Sequence, residues 1–216
     1  MAITTAMLAS FKRDLLNGAH HFSQSRTFTA SGTSSQTLTS VSSLTGVYVG
    51  AQLSGTNIAA GTVVAAILSS TSIFISKATT GAPGTITVVG DTFKMALIKS
   101  GMAGTYGAAN TNYTDITGNS DEVSGTGYTA GGTALTNVDP VASSPSAYTT
   151  FSPNPSWTSA TFSTAGCMIY NSTQNGPNAT PGISVHDFGG TQTVSSGTFT
   201  AVMPTAGVGT AILQIT

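Results

Sequence analysis

Beyond its first eighteen residues this chain keeps no helical period; its apolar residues come in short β-branched runs, each closed by Gly, Pro, Asn or Ser. Such punctuation restricts the fold to antiparallel β architectures, because Gly and Asn accept the positive φ of tight turns and Pro fixes its own φ. In the first half the runs predict strands at Gln36–Leu38, Tyr48–Leu53, Thr62–Leu68, Ser72–Ser76 and Thr85–Val89. Turn clusters at Ser54–Asn57, Ser69–Thr71 and Gly81–Gly84 separate them. Between Asp91 and Ile98, Phe93, Met95 and Leu97 alternate with polar or small neighbours, as a half-buried strand requires. Further strands are expected at Thr133–Val138, Ser156–Ser163, Gly166–Asn171, Ile183–Phe188, Thr198–Met203 and Ala211–Ile215, with the polar, glycine-rich Asn110–Gly132 as a loop. Many short strands at this spacing predict a mainly β fold, an antiparallel β-sandwich of jelly-roll or Greek-key kind.

One short N-terminal helix precedes them. Met7, Leu8, Phe11 and Leu15 recur three and four apart, Thr4 or Thr5 can cap the start, and Gly18 can end it. Lys12, Arg13 and Asp14 fall opposite Phe11 and Leu15, so the helix should lie on a sheet with its polar side outward. From Phe28 to Gly90 the only charged residue is Lys77. That change in composition predicts a small β domain, 28–90, inserted into a larger one made of 1–27 and 91–216.

Charge is scarce throughout: 6% of the 216 residues are charged, against about 25% in an average globular protein. With six basic and seven acidic residues the net charge is -1, so the chain has no electrostatic attraction for nucleic acid or an anionic membrane. No run approaches the roughly 18 consecutive apolar residues of a membrane-spanning helix. Lys12, Arg13 and Asp14 stand where a signal peptide would carry its apolar centre, so synthesis in the cytoplasm is expected. The single cysteine, Cys167, cannot form an internal disulfide and reads as a small buried hydrophobe.

The reactive residue types do not assemble into a motif. His20 and His21, if helical, diverge by about 100° and cannot both chelate a metal. Asp115, Asp121 and Glu122 lack the alternating ligands and central Gly of a calcium loop and read as a solvated loop. His186 and Asp187 are neighbours on a predicted strand, so they point to opposite faces and serve no common triad. Asp187 and Asp139 are too few to suggest a glycosidase pair. The glycines of Gly125–Gly132 lack the Lys-Ser/Thr ending of a phosphate loop. Asn112, Asn171 and Asn178 begin glycosylation sequons that carry no weight without a secretion signal. No catalytic residue, metal or cofactor is expected. Trp157, Phe162, Tyr170, Phe188 and Phe199 are assigned to the core, since burying a large apolar side chain is worth about 1.5–3 kcal/mol.

Several segments together carry a resemblance. Met1-Ala-Ile-Thr-Thr-Ala-Met7, Ser10-Phe-Lys12, Leu15-Leu-Asn-Gly18 and His21-Phe22 form the first part. Asp91-Thr-Phe-Lys-Met-Ala-Leu-Ile98, the Asn119–Gly132 stretch and Trp157-Thr-Ser-Ala-Thr-Phe162 form the second. They resemble a family of small virion structural proteins of tailed bacteriophages, in which the N-terminal helical segment runs almost directly into the Thr-Phe-Lys strand. Val49-Gly50, Leu53–Ile58 and Ala60–Val64 resemble a β module that recurs in phage coat and tail proteins, so residues from about 28 to 90 look inserted. The resemblance implies a non-enzymatic place in the virion. The expected role is a capsid decoration or cement protein that contacts the major capsid protein and forms a homo-oligomer, with no nucleic-acid or membrane partner. A tail, baseplate or fibre-base component is the alternative. A host-surface carbohydrate-binding module, with Tyr48 and Phe74 as stacking residues, is the alternative from another class.

Overall fold

The computed structural model describes residues 2–173 and 179–216. It is mainly β, with 45% of residues in strands and 6% in helices. In chain order the elements are β1 (Ala6–Met7), α1 (Ala9–Leu16), β2 (Arg26–Thr29), β3 (Thr37–Leu38), β4 (Gln52–Gly55), β5 (Thr62–Ser69), β6 (Ser72–Ile75) and β7 (Thr85–Val89). They continue with β8 (Phe93–Lys99), α2 (Thr114–Gly118), β9 (Thr133–Leu135), β10 (Val141–Ser143), β11 (Ser146–Thr149), β12 (Ser156–Asn171), β13 (Gly182–Thr200) and β14 (Leu213–Ile215). Every pairing between these strands is antiparallel among the described residues; an isolated bridge joins Ile3 and Tyr106 in parallel.

The chain divides into two units, Met1–Phe22 with Asp91–Thr216, and Ser23–Gly90. Residues 23–27, placed by composition with the larger domain, belong to the smaller unit, because Arg26 and Thr27 pair with Val88 and Thr87. Each unit has its own apolar core, as a domain must.

The smaller unit is one sheet in the order β2-β7-β4-β5-β6-β3. Its two edges meet: Ser31 N–H donates to Thr39 O at 2.7 Å and Thr39 N–H to Ser31 O at 2.9 Å, so the sheet curls toward a closed barrel around Phe28, Leu53, Ile73, Ile75 and Ile86. The strand expected at Tyr48–Leu53 begins only at Gln52. Gly50 has φ +93°, a conformation that turns the Val47-Tyr48-Val49 run out of extended geometry.

The larger unit holds a five-stranded sheet, β1-β13-β12-β8-β9, and a three-stranded sheet, β10-β11-β14. This order is consistent with an antiparallel sandwich; it does not by itself make a jelly roll. Two pairs of expected strands are continuous. Ser156–Ser163 and Gly166–Asn171 form the single strand β12, and Ile183–Phe188 joins the strand expected at Thr198–Met203, which ends at Thr200, through Gly189-Gly190 in β13. The Gly residues mark a bulge instead of an end, since the four residues 188–191 stand between the Gly166↔Asp187 and Thr164↔Gln192 pairs, opposite Ala165 alone. Gly166 serves a close approach: a Cβ there would lie 2.4 Å from the His186 carbonyl oxygen.

The N-terminal helix is shorter than its apolar spacing predicts. Met7 pairs with Ser184 in the sheet, and Leu8, fully buried, occupies the N-cap without a side-chain cap. Neither Thr4 nor Thr5 caps the helix; Thr5 Oγ1 accepts the Asp187 N–H at 2.9 Å. Gly18 ends it as expected, at φ +70°. Its N–H donates to Leu15 O and that of Ala19 to Asp14 O, the paired bonds of a Schellman motif.

Candidate docking groove

Phe11 and Leu15 lie one helical turn apart on the inner side of α1, where the i, i+4 spacing stacks them. Facing them are Met7 of β1, Phe22, Ala147–Thr149 of β11 and Leu213–Ile215 of β14. Together these residues line an apolar groove of about 110 Å³. Large apolar side chains also stand in solvent on these elements: Leu16 is 90% exposed and Ile215 55%. Leaving such groups in water is unfavourable for a chain with so few of them, and clustered exposed apolar surface marks a contact site.

β14 supplies a second feature. It pairs with β11 on one side, Leu213 with Thr149 and Ile215 with Ala147, and among the described residues no strand pairs with its other side. Such an edge presents free N–H and C=O groups for an incoming strand. β13 is similar: β1 covers only Val185 and Ser184, and residues 188–200 carry no charge. Lysine, the usual guard of an edge, is absent from both strands.

Beneath the β12–β13 ribbon lies an aromatic cluster. Trp157 and Phe162 are buried, with Phe199 at 5.8 and 5.5 Å between ring centroids and Tyr128 at 6.2 and 5.9 Å. These rings, with Tyr170, belong to the core.

Residues considered for chemistry are dispersed or internally used. Asp121, expected in a solvated loop, is fully buried. It accepts the N–H groups of Ala103 (2.8 Å) and Gly104 (2.7 Å) and the Tyr106 hydroxyl (2.7 Å), with Lys99 Nζ at 3.4 Å. Burial pushes its carboxyl upward, but these donors outweigh burial and hold it below the usual range. Glu122 accepts Tyr113 and Tyr128 hydroxyls at 2.5 and 2.8 Å and the Gly131 N–H at 2.7 Å. Both phenols are raised by burial and by the facing carboxylate. Asp115 accepts Asn110 Nδ2 and the Thr111 N–H. All three carboxylates therefore tie down the Asn110–Gly132 segment, which also contains α2, and this organisation follows from no local motif.

His186 bonds Ser184 Oγ at 2.9 Å and is pushed down to about 4 by burial; Asp187, exposed, accepts the Gly189 N–H. Cys167 is buried, which pushes its thiol up to about 12. Asn178 lies outside the described residues. Phe74 is 36% exposed and faces away from the core of the smaller unit, whereas Tyr48 packs against that core from the preceding loop. Among the described residues no three His, Cys, Asp or Glu converge as a metal site, and no helix is long and apolar enough to cross a membrane.

None of the protein families, characterised proteins or solved structures compared with this chain matches it.

Proposed function

We propose that this chain is a structural protein of a tailed-bacteriophage virion, a capsid decoration or cement protein that holds neighbouring subunits by surface contact. The observation that carries the reading is the apolar groove between α1 and β14, running beside an unpaired strand edge. It supplies both terms of strand addition: main-chain hydrogen bonds from β14, and an apolar slot for alternate side chains of an extended segment. The occupant in this reading is an extended apolar segment of the major capsid protein. The resemblance at both ends of the chain supports the same reading, as does a nearly uncharged surface that imposes little repulsion on many closely packed copies. Self-association through the uncharged β13 edge belongs to the proposal.

Particles carrying Leu16→Glu or Ile215→Lys test it. Both side chains are largely exposed, so folding is unaffected, while loss of a buried Leu-sized contact worth about 1.5 kcal/mol weakens attachment roughly tenfold. Because the contact is apolar, wild-type retention should not fall as ionic strength rises. Quantitative mass spectrometry of purified virions completes the test. Copy number comparable to that of the major capsid protein supports the head, and a ring-sized number supports the tail alternative. Absence from virions, or full retention of both variants, refutes the proposal.

A further inference from the structure

His20 follows α1 and is 6% exposed, enclosed by the rings of Phe11 and Phe22 at 5.3 and 6.4 Å. Its hydrogen bonding is fixed from the other side. Asn171, at the end of β12 and fully buried, has its Oδ1 occupied by the Thr173 N–H at 2.9 Å. Its Nδ2 donates to Asp91 Oδ2 at 2.6 Å and lies 3.0 Å from His20 Nδ1. With one amide hydrogen directed to a carboxylate, the other must go to the imidazole, so Nδ1 is an acceptor and the ring is neutral with its proton on Nε2. That Nε2 has no hydrogen-bond partner, although it is buried.

A second proton on this ring has no suitable place. It would set an Nδ1–H against the Asn171 amide hydrogens, and turning the amide would give up the Thr173 bond and face Oδ1 toward the Asp91 carboxylate. The site also closes a chain junction. Asp91 N–H donates to His21 O, and His21 N–H to Asp91 Oδ2, both at 2.9 Å. These two short stretches are where the chain leaves the larger unit for Ser23–Gly90 and returns.

We infer that His20, Asn171 and Asp91 form an acid-sensitive clasp that holds together the two chain crossings of the larger unit and loosens when His20 takes up a proton. The charged and titratable groups around His20 are Asp91 before β8, Asp14 on α1 and the adjacent His21; Asn171 of β12 is neutral. Burial lowers the affinity of His20 for a proton and outweighs the attraction of Asp91 and Asp14. An opened clasp restores the ordinary affinity, with half-protonation near pH 6.5. Because the closed state binds the proton less well, closure is complete above that pH and is lost as pH falls.

The test is amide hydrogen exchange by NMR on the full chain at pH 7.5 and pH 5.0, with protection factors corrected for intrinsic rates. Protection at His21, Asp91 and Thr173 should fall about tenfold at the lower pH, while Ala96 and Met168, inside the sheet, stay unchanged. His20→Asn, which keeps an acceptor near the Nδ1 position, should abolish the fall. Should that variant not fold, the wild-type ring titration decides: its midpoint must lie below 6.5, with the Asn171 side-chain amide shifting in step. A midpoint at or above 6.5, equal protection at both pH values, or an undiminished fall in the Asn variant overturns the inference.

Discussion

Changing Asp121 to Asn keeps the shape of the side chain but replaces one acceptor oxygen by an NH2 group. The carboxylate receives three hydrogen bonds of 2.7–2.8 Å, from Ala103 N–H, Gly104 N–H and Tyr106 O–H, with Lys99 alongside. Oδ1 takes the Ala103 N–H, and Oδ2 takes both the Gly104 N–H and the Tyr106 hydroxyl. Whichever oxygen becomes NH2, at least one donor of the Ala103–Tyr106 turn loses its acceptor. Hydrogen bonds to a charged group contribute about 1.5–3 kcal/mol each, and a stranded buried donor costs about 1–3 kcal/mol. One lost charged bond, weakening of the other two and loss of the negative charge facing Lys99, whose Nζ keeps its bond to Ser120 O, together predict a loss of about 3–5 kcal/mol. Trp157 is the single tryptophan, is buried, and lies in the larger unit with Asp121, so its fluorescence in a urea titration reports unfolding of the relevant core. The difference should persist from pH 7 to pH 5 and narrow in stronger acid. A carboxyl held below its ordinary value of 3.8 contributes stability above that pH and loses it as pH falls through the folded value. A difference under about 1 kcal/mol at pH 7 would refute the assignment of Asp121 as the anchor of this segment.

Three further outcomes are expected. Gly132→Ala should destabilise the larger unit by at least about 3 kcal/mol, read by the same urea titration, because Gly132 has φ +70° and a Cβ would fall 1.8 Å from Met95 O. Cys167 should be unreactive toward a thiol reagent at pH 8 in the folded chain and titrate fully in urea, since burial holds the thiol at about 12; rapid native labelling would contradict its place in the core. Gly90→Ala should unfold the smaller unit, because the new Cβ would lie 2.0 Å from Ser23 O. Trp157 fluorescence should register little of that change, whereas an equal loss in the larger unit would mean the two do not fold separately.

Much of the fold was readable before the structure because the deciding interactions are local. β5, β6 and β7 lie close to their expected bounds, since alternating β-branched residues between turn formers leave the backbone few alternatives. Gly18 terminated α1 for the same reason. Errors arose where a local signal had two physical meanings. Gly189-Gly190 can end a strand or permit a bulge; contact of both flanks with β12 selected the bulge. Met7 satisfies the period of α1, but pairing with Ser184 drew it into the sheet.

The candidate groove was less visible. Phe11 and Leu15 marked one wall as an apolar helical side, but β11 had no sequence signal and β14 lies nearly 200 residues away. Local spacing cannot encode which strand faces a helix across that separation, nor that an edge of that strand is left unpaired.

Composition and turn chemistry alone therefore determined a nearly uncharged, antiparallel β protein with a short leading helix, because dihedral preference and side-chain alternation act between near neighbours. Tertiary structure alone decided the Ser31–Thr39 closure, the burial of Asp121 beneath Tyr106, the His20–Asn171 contact and the groove beside β14. Each of these depends on donors, acceptors or apolar surfaces that the packed chain brings together, and their burial makes every unmet partner costly.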